Sequence, residues 1–395
     1  MKILYYSPHP YLNLMSPAGF GTHMRGMITA FRNKKCEVHT VIMGGETNPP
    51  DPAISQESNN FKSLLKKATG KNIWRTLKDF KLLRFDRTAS DRLEEAIKKY
   101  EPDFIYERTN YLQLSGIKEA KKYGIVHVSE INTPYVDQQN YLSKSRSYLE
   151  KYARGIEKKQ LQGTDLALAV VGPLQDHFCS LYDLDPGKFL ITHDAFDKDT
   201  IRLNPENQQK IERQYKLFDK RLIGYVGSIF EWHGLDKLIK AFYEINNPKT
   251  KLLIVGYGEY MTNLTELVIS LGIEEKVIFT GGVPKEEVFD YINVMDICAA
   301  PNAAWYQSPI KIFEYGAMGK PILAPDTAAV REVMEPEQDG VLVKPEVESI
   351  KEGLLKLLNN EEEASQMGKY FQRKVLEKYT WEANAEKVLQ AIKRF

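Results

Sequence analysis

Short apolar runs alternate with amphipathic stretches along the whole chain. Residues 3–6 are an apolar run that reads as a first strand. A loop rich in proline and glycine follows over 8–21, and residues 22–33 read as a helix because Met24, Met27, Ile28 and Phe31 recur at helical spacing. Residues 37–43 give a second strand ending in Gly44 and Gly45, and 46–60 read as a polar loop. Phe104, Ile105 and Tyr106 form a strand after the turn signal Pro102-Asp103; 125–131 and 166–171 give two more, the last after a charged helix over about 141–162.

The second half repeats the scheme. Strands are expected over 221–227, 251–255, 276–280, 296–300, 321–324 and 340–343, several running into glycine or proline, with a helix starting at Leu235 after the first. The polar stretch 204–220 holds no strand, which puts a domain boundary near 200. A last helix over 380–395 starts with Thr380 as a plausible N-cap and Glu382 in its first turn. Strand–helix alternation predicts parallel βαβ units. The architecture is therefore α/β: two tandem Rossmann-like, doubly wound parallel-sheet domains, 1–200 and 201–379, with 380–395 free to return to the first. In such sheets ligands bind beyond the carboxyl ends of the strands, so the loops there are where chemistry is expected.

Length agrees, because 395 residues exceed one ordinary core. A formal net charge of +1 gives no global field for nucleic acid, and no recognition motif accompanies the local basic stretches. The cysteines Cys36, Cys179 and Cys298 are scattered and show no metal-ligand spacing, which reads as reduced thiols. No signal peptide or spanning segment is read, so a cytoplasmic protein is expected, or one resting on the inner face of a membrane.

The richest segment is 300–321. Ser308 suits an N-cap, Pro309 the first helical position, and Gly319 a left-handed helix end before Pro321. A helix starting in a strand-end loop presents unpaired N–H groups at its tip, where a diphosphate can bind. Lys311 falls in its first turn, where a cation opposes the macrodipole unless an anion lies between. Glu314 lies one turn on, and a carboxylate there can accept both hydrogen bonds of a ribose diol. The blander readings are a solvated lysine and a solvated glutamate.

This run resembles the donor-binding signature of family 4 glycosyltransferases with the GT-B fold, in the variant S-P-x-K-x-x-E-Y-x-A-x-G-x-P. Other segments resemble the family in order: Gly19-Phe20-Gly21-Thr22-His23, Pro102 to Arg108, Val226 to Gly234, Ile254 to Gly258, and Val277 to Gly282. The resemblance implies two domains facing across a cleft and a retaining transfer of a sugar from a UDP- or GDP-sugar. The acceptor would be a glycan, a lipid-linked or a small-molecule glycoside. It implies that Glu314 binds ribose, that the backbone of Ser308, Pro309 and Ile310 binds the diphosphate, and that Gly281 and Gly282 border the base. Gly227, Ser228 and His233 would belong to the loop opening the donor domain and Gly256 to the family's I-V-G-x-G, all counted as donor-binding with Tyr306, and Gly19 and Gly21 would face diphosphate or acceptor.

Four positions depart from the family pattern. Tyr306 stands where the first of two paired glutamates is usual, Ser228 where an arginine is usual, and His233 where a lysine is usual. Asn132 stands where a strand-end histidine is usual; His127 is mid-strand and reads as structural. Lys311 would then supply one phosphate charge, and His233 another if protonated. Asn132 can hold a sugar hydroxyl, and Glu130, on the same face, is a candidate partner of the reacting groups. A phosphate leaving group needs charge stabilisation rather than a protein nucleophile, and no Asp-x-Asp pair flanked by apolar strand residues calls for a metal. The chemistry is read as needing no cofactor beyond the nucleotide sugar. The departures keep a non-catalytic nucleotide-sugar-binding subunit open, and the architecture alone keeps a sugar-nucleotide epimerase open.

Residues 61–87 are rich in lysine and arginine, with Phe61, Ile73, Trp74, Leu77 and Phe80 between them. They read either as a solvated helix pair over the N-terminal sheet or as a peripheral contact with an anionic membrane.

Overall fold

A computed structural model describes residues 1–16, 18–47 and 70–395. The chain divides into two compact units, Met1–His193 with Glu382–Phe395, and Asp194–Trp381.

The first unit runs β1 (Lys2–Ser7), α1 (Gly19–Asn33), β2 (Glu37–Ile42), α2 (Lys71–Tyr100), β3 (Phe104–Arg108), α3 (Ser115–Tyr123), β4 (Val126–Ile131), α4 (Tyr135–Ser143), α5 (Glu150–Gly163), β5 (Leu166–Ala169), α6 (Gly172–Tyr182) and β6 (Phe189–Ile191). The strands are parallel and ordered β2-β1-β3-β4-β5-β6. Ile3, Leu4, Tyr5 and Tyr6 are all fully buried, as a parallel strand covered on both faces requires. On one face Phe31 of α1 sets its edge against Phe104 and Tyr106; on the other Leu4, Tyr6 and Ile105 meet Ala89, Leu93 and Ile97 of α2.

Three expectations shift. The first helix begins at Gly19, so Gly19 and Gly21 form its first turn rather than a loop. The chain folds back there so tightly that a Cβ on Gly21 would lie 2.2 Å from the Ser16 carbonyl oxygen. The helix expected over 141–162 is two helices, α4 and α5, broken after Ser143 where Lys144 turns left-handed (φ 45°). Arg75 of α2 holds that break through Asn140, Ser143 and the Ser145 carbonyl. Strand β6 has three residues and was too short to register as a run.

The second unit continues with α7 (Pro205–Tyr215), β7 (Arg221–Val226), α8 (Leu235–Ile245), β8 (Thr250–Val255), α9 (Met261–Leu271), β9 (Val277–Gly281), α10 (Val288–Val294), β10 (Ile297–Ala299), α11 (Ile310–Ala317), β11 (Ile322–Pro325), α12 (Ala328–Arg331), β12 (Val341–Val343), α13 (Val347–Asn359) and α14 (Glu361–Lys378). The strand order is β12-β11-β10-β7-β8-β9, again parallel. It reverses direction at the β7/β10 pair, and such a reversal opens a crevice at the strands' carboxyl ends. Leu222 and Val226 of β7 pack with Ile312, Phe313 and Tyr315 of α11, while Ile223 and Tyr225 pack with Leu235, Leu238 and Ile239 of α8.

The last helix, α15 (Trp381–Ala391), returns to the first unit from Glu382 on. There Lys34 pairs with Glu386 at 2.7 Å and Asn384 donates to the His193 carbonyl at 2.7 Å. Among the described residues no helix is long and apolar enough to cross a membrane.

Candidate functional site

The carboxyl ends of β7 and β10 gather most of the residues of the second unit that were expected to bind a donor. Helix α11 follows the β10 loop. Its N-cap is Pro309, and Ile310 is the first helical residue. This corrects the expected cap by one position. The Ser308 hydroxyl caps nothing in the helix; it accepts from the Asp194 amide at 3.0 Å. A proline N-cap has no side-chain acceptor to spend on the first turn, so the leading amides of α11 lack a side-chain cap. The helix ends as its sequence implies, with Gly319 left-handed (φ 65°) and the Lys320 amide bonded to the Tyr315 carbonyl. Tyr315 ties α11 to β7: its fully buried hydroxyl accepts from the Val226 amide at 2.8 Å.

The loops after β7 and β8 interlock backbone to backbone. A Cβ on Gly256 (φ 128°) would lie 2.0 Å from the Gly227 carbonyl oxygen, and one on Gly258 2.1 Å from that of Ile229. On Gly227 (φ 142°) it would stand 3.2 Å from Lys311 Nζ, so the lysine head rests over this turn. Lys311 donates to Tyr225 Oη at 2.7 Å, and its ammonium lies 4.2 Å from the centre of that ring. Burial pushes Lys311 down to about 7, partly offset by Glu314. Glu314 is half-buried and raised by burial against the pull of Lys311 and Lys285.

His233 does not supply the second cation. Burial, together with Lys311, pushes it down to about 3, against a hydrogen bond to Ser228. Its Nδ1 lies 2.7 Å from the Ser228 carbonyl oxygen, an acceptor only, so Nδ1 carries the proton of the neutral ring. The Ser228 carbonyl is thus held inward by these bonds, and the residue is exposed. Gly281 (φ 72°) bonds back to the Gly256 amide at 2.9 Å, and neither Gly281 nor Gly282 has a neighbour within 4 Å of a built Cβ, which leaves open space there. Tyr306 is half-buried beside Trp305, ring centres 5.3 Å apart. Residue spacing gave no sign of Tyr225, the hydroxyl at the centre of this cluster; its place at the end of a strand, two residues before a glycine turn, was the available signal.

In the first unit Glu130 is enclosed completely. It pairs with Arg108, lies 3.1 Å from His23 Nε2, and accepts from Tyr106 Oη and Asn132 Nδ2, each at 2.7 Å. Desolvation alone would raise its carboxyl, but His23 and Arg108 outweigh it and hold the group below the usual carboxylate range. This corrects its placement: Glu130 lines no open surface, and its contacts fix α1, β3 and β4 to one another. Half-buried Asn132 is turned by that bond so that its amide oxygen is the atom left to offer. Mid-strand His127 is buried between Glu107 and Thr164. Gly19 and Gly21 belong to the α1 turn that carries His23, apart from the second-unit cluster in sequence and element.

In α2, Ile73, Leu77 and Phe80 are exposed beside exposed Lys78, Lys81, Arg84 and Arg87. Arg75 and Asp79 are buried, so Arg75 is not part of that surface. Residues 61–69 lie outside the described residues. Among the described residues no three His, Cys, Asp or Glu side chains gather as a metal site.

Two family models account for nearly all of the chain: Glycosyltransferase Family 4 over residues 17–199 and Glycosyl transferases group 1 over 207–374. The chain belongs to the group 1/family 4 glycosyltransferases. This glycosyltransferase family member is 26% identical over 205 residues to the GDP-mannose-dependent alpha-(1-6)-phosphatidylinositol monomannoside mannosyltransferase of Mycolicibacterium smegmatis, a match covering 50% of this chain and 54% of that protein. The match thus spans about half the relative's length. Anabaena HepE in complex with UDP-glucose superposes with a TM-score of 0.73 at 15% identity, covering 100% of both chains. Sucrose-phosphate synthase from Thermosynechococcus elongatus gives 0.77 at 16%, covering 100% of this chain and 99% of that one. At such identities the likeness is one of fold, and the fold is GT-B.

Proposed function

We propose that this family member is a retaining glycosyltransferase whose donor is a nucleoside diphosphate sugar. The observation that carries the reading is the arrangement where the second sheet reverses: the uncapped start of α11, Lys311 over the Gly227 turn, and Glu314 one turn along. The α11 amides and Lys311 take the diphosphate, and Glu314 takes the ribose diol. Open space at Gly281 and Gly282 receives the base. In the transfer, the bond from the anomeric carbon to the phosphate oxygen breaks and a bond to the acceptor oxygen forms on the same face. The acceptor's proton passes to the departing diphosphate. The negative charge that builds on that leaving group is what α11 and Lys311 stabilise.

UDP- and GDP-sugars are the donor classes to try, since a relative is named for GDP-mannose and HepE was solved with UDP-glucose. A lipid-linked acceptor accords with the phosphatidylinositol monomannoside in that relative's name and with the exposed apolar and basic stripe of α2. Incubation with UDP- and GDP-sugars, with and without lipid and glycan acceptors, tests the reading. Free sugar released with the donor's anomeric configuration, and a glycoside of that configuration when acceptor is present, is expected. A donor whose sugar is changed with no acceptor, or that is never consumed, contradicts it.

A further inference from the structure

We propose that Tyr225 is a positioning residue of the diphosphate site: its hydroxyl and ring hold the Lys311 ammonium over the Gly227 turn, so that one cation from α11 serves a loop that supplies none. The inference rests on the donor reading above. The loop after β7 has Ser228, facing the cluster with its carbonyl, and a neutral His233. The Ser228 oxygen collects two hydrogens, from Tyr225 Oη at 2.8 Å and from His233 Nδ1 at 2.7 Å. With its O–H committed to a carbonyl, the tyrosine oxygen turns a lone pair toward Lys311 Nζ at 2.7 Å. The ring beneath adds a cation–π contact at 4.2 Å. Glu314, one turn along α11, acts on the ammonium through space, and no carboxylate pairs with it among the described residues. Glycine at 227 is the space this placement uses, because any Cβ there would meet both Nζ and Tyr225 Oη within about 3.3 Å. A lysine with four rotatable bonds would otherwise be spread over many positions, and a charge contributes most when it is held where the ligand's charge falls.

Calorimetric titration of the full chain with UMP, UDP, GMP and GDP tests the proposal, because the diphosphate-to-monophosphate affinity ratio isolates the terminal phosphate. Tyr225→Phe keeps the ring and removes the hydroxyl. It is expected to lower that ratio about tenfold and to leave monophosphate binding near the parent's, which also reports that the variant is folded. Lys311→Met lowers the ratio at least as far, and adding Tyr225→Phe to it lowers the ratio no further. Lys311→Arg keeps the charge but cannot seat a planar fork on one hydroxyl, and it too lowers the ratio. A parental ratio in Tyr225→Phe or in Lys311→Arg, equal losses for mono- and diphosphates, or independent losses in the double variant overturn the proposal. A parent chain that binds none of the four nucleotides overturns the donor reading, and this proposal with it.

Discussion

Lys311, half-buried, and Glu130, fully buried, are both drawn out of bulk water, but they meet opposite conditions. Lys311 is pushed down to about 7 with a hydroxyl and a ring as its partners. A bound diphosphate favours its protonated form. UDP or GDP affinity should therefore weaken as pH rises above about 7, by at most about tenfold per pH unit until the pKa of the complex is passed. Calorimetry between about pH 6 and 9, in buffers of different ionisation heat, measures both the slope and the proton taken up; Lys311→Met should flatten it. Glu130 has partners on every side, and its carboxyl is held low. Its stabilisation is complete above the unfolded carboxylate value near ~4 and drains as pH falls below that. Glu130→Gln leaves Arg108 buried without its counter-charge, and a loss of roughly 3–5 kcal/mol is expected in urea unfolding.

At the scale of elements, α11 is placed by contacts that sequence spacing does not reveal. Its end was legible, since Gly319 and Pro321 punctuate it. Its start moved by one residue because the Ser308 hydroxyl is claimed by the Asp194 amide, a long-range bond. Parallel strands were legible as continuous apolar runs such as 3–6, buried on both faces. The break between α4 and α5 was not, because Arg75, more than sixty residues earlier in the chain than the groups it binds there, holds it. Likewise the Glu130 cluster joins α1, β3 and β4, and pattern alone could place Glu130 on a face but not inside a cage. Tyr315 is the tether that sets α11 against β7. Tyr315→Phe removes it, leaves the Val226 amide unpaired, and is expected to cost about 1–3 kcal/mol. The same variant should weaken UDP or GDP binding, read in one thermal-shift series with and without nucleotide.

For the whole molecule, each unit carries a separate proposed task. In the first, the proposed contact with an anionic lipid surface falls on the α2 stripe of Ile73, Leu77 and Phe80 among basic residues. Co-sedimentation with phosphatidylglycerol vesicles at low salt should be strong, and Leu77→Glu with Phe80→Glu should remove it; an unbound parent chain contradicts the lipid assignment. In the second unit, the central claim is that the diphosphate lies on the leading amides of α11, under Lys311 and beside the Gly227 turn. Amide hydrogen exchange with and without UDP or GDP reads this directly. Slowed exchange is expected at residues 310, 311 and 228 once nucleotide is bound, because the Ile312 and Gly227 amides already donate to the Pro309 and Val255 carbonyls. A nucleotide complex in which those amides exchange as in the free chain, with protection elsewhere, would contradict it.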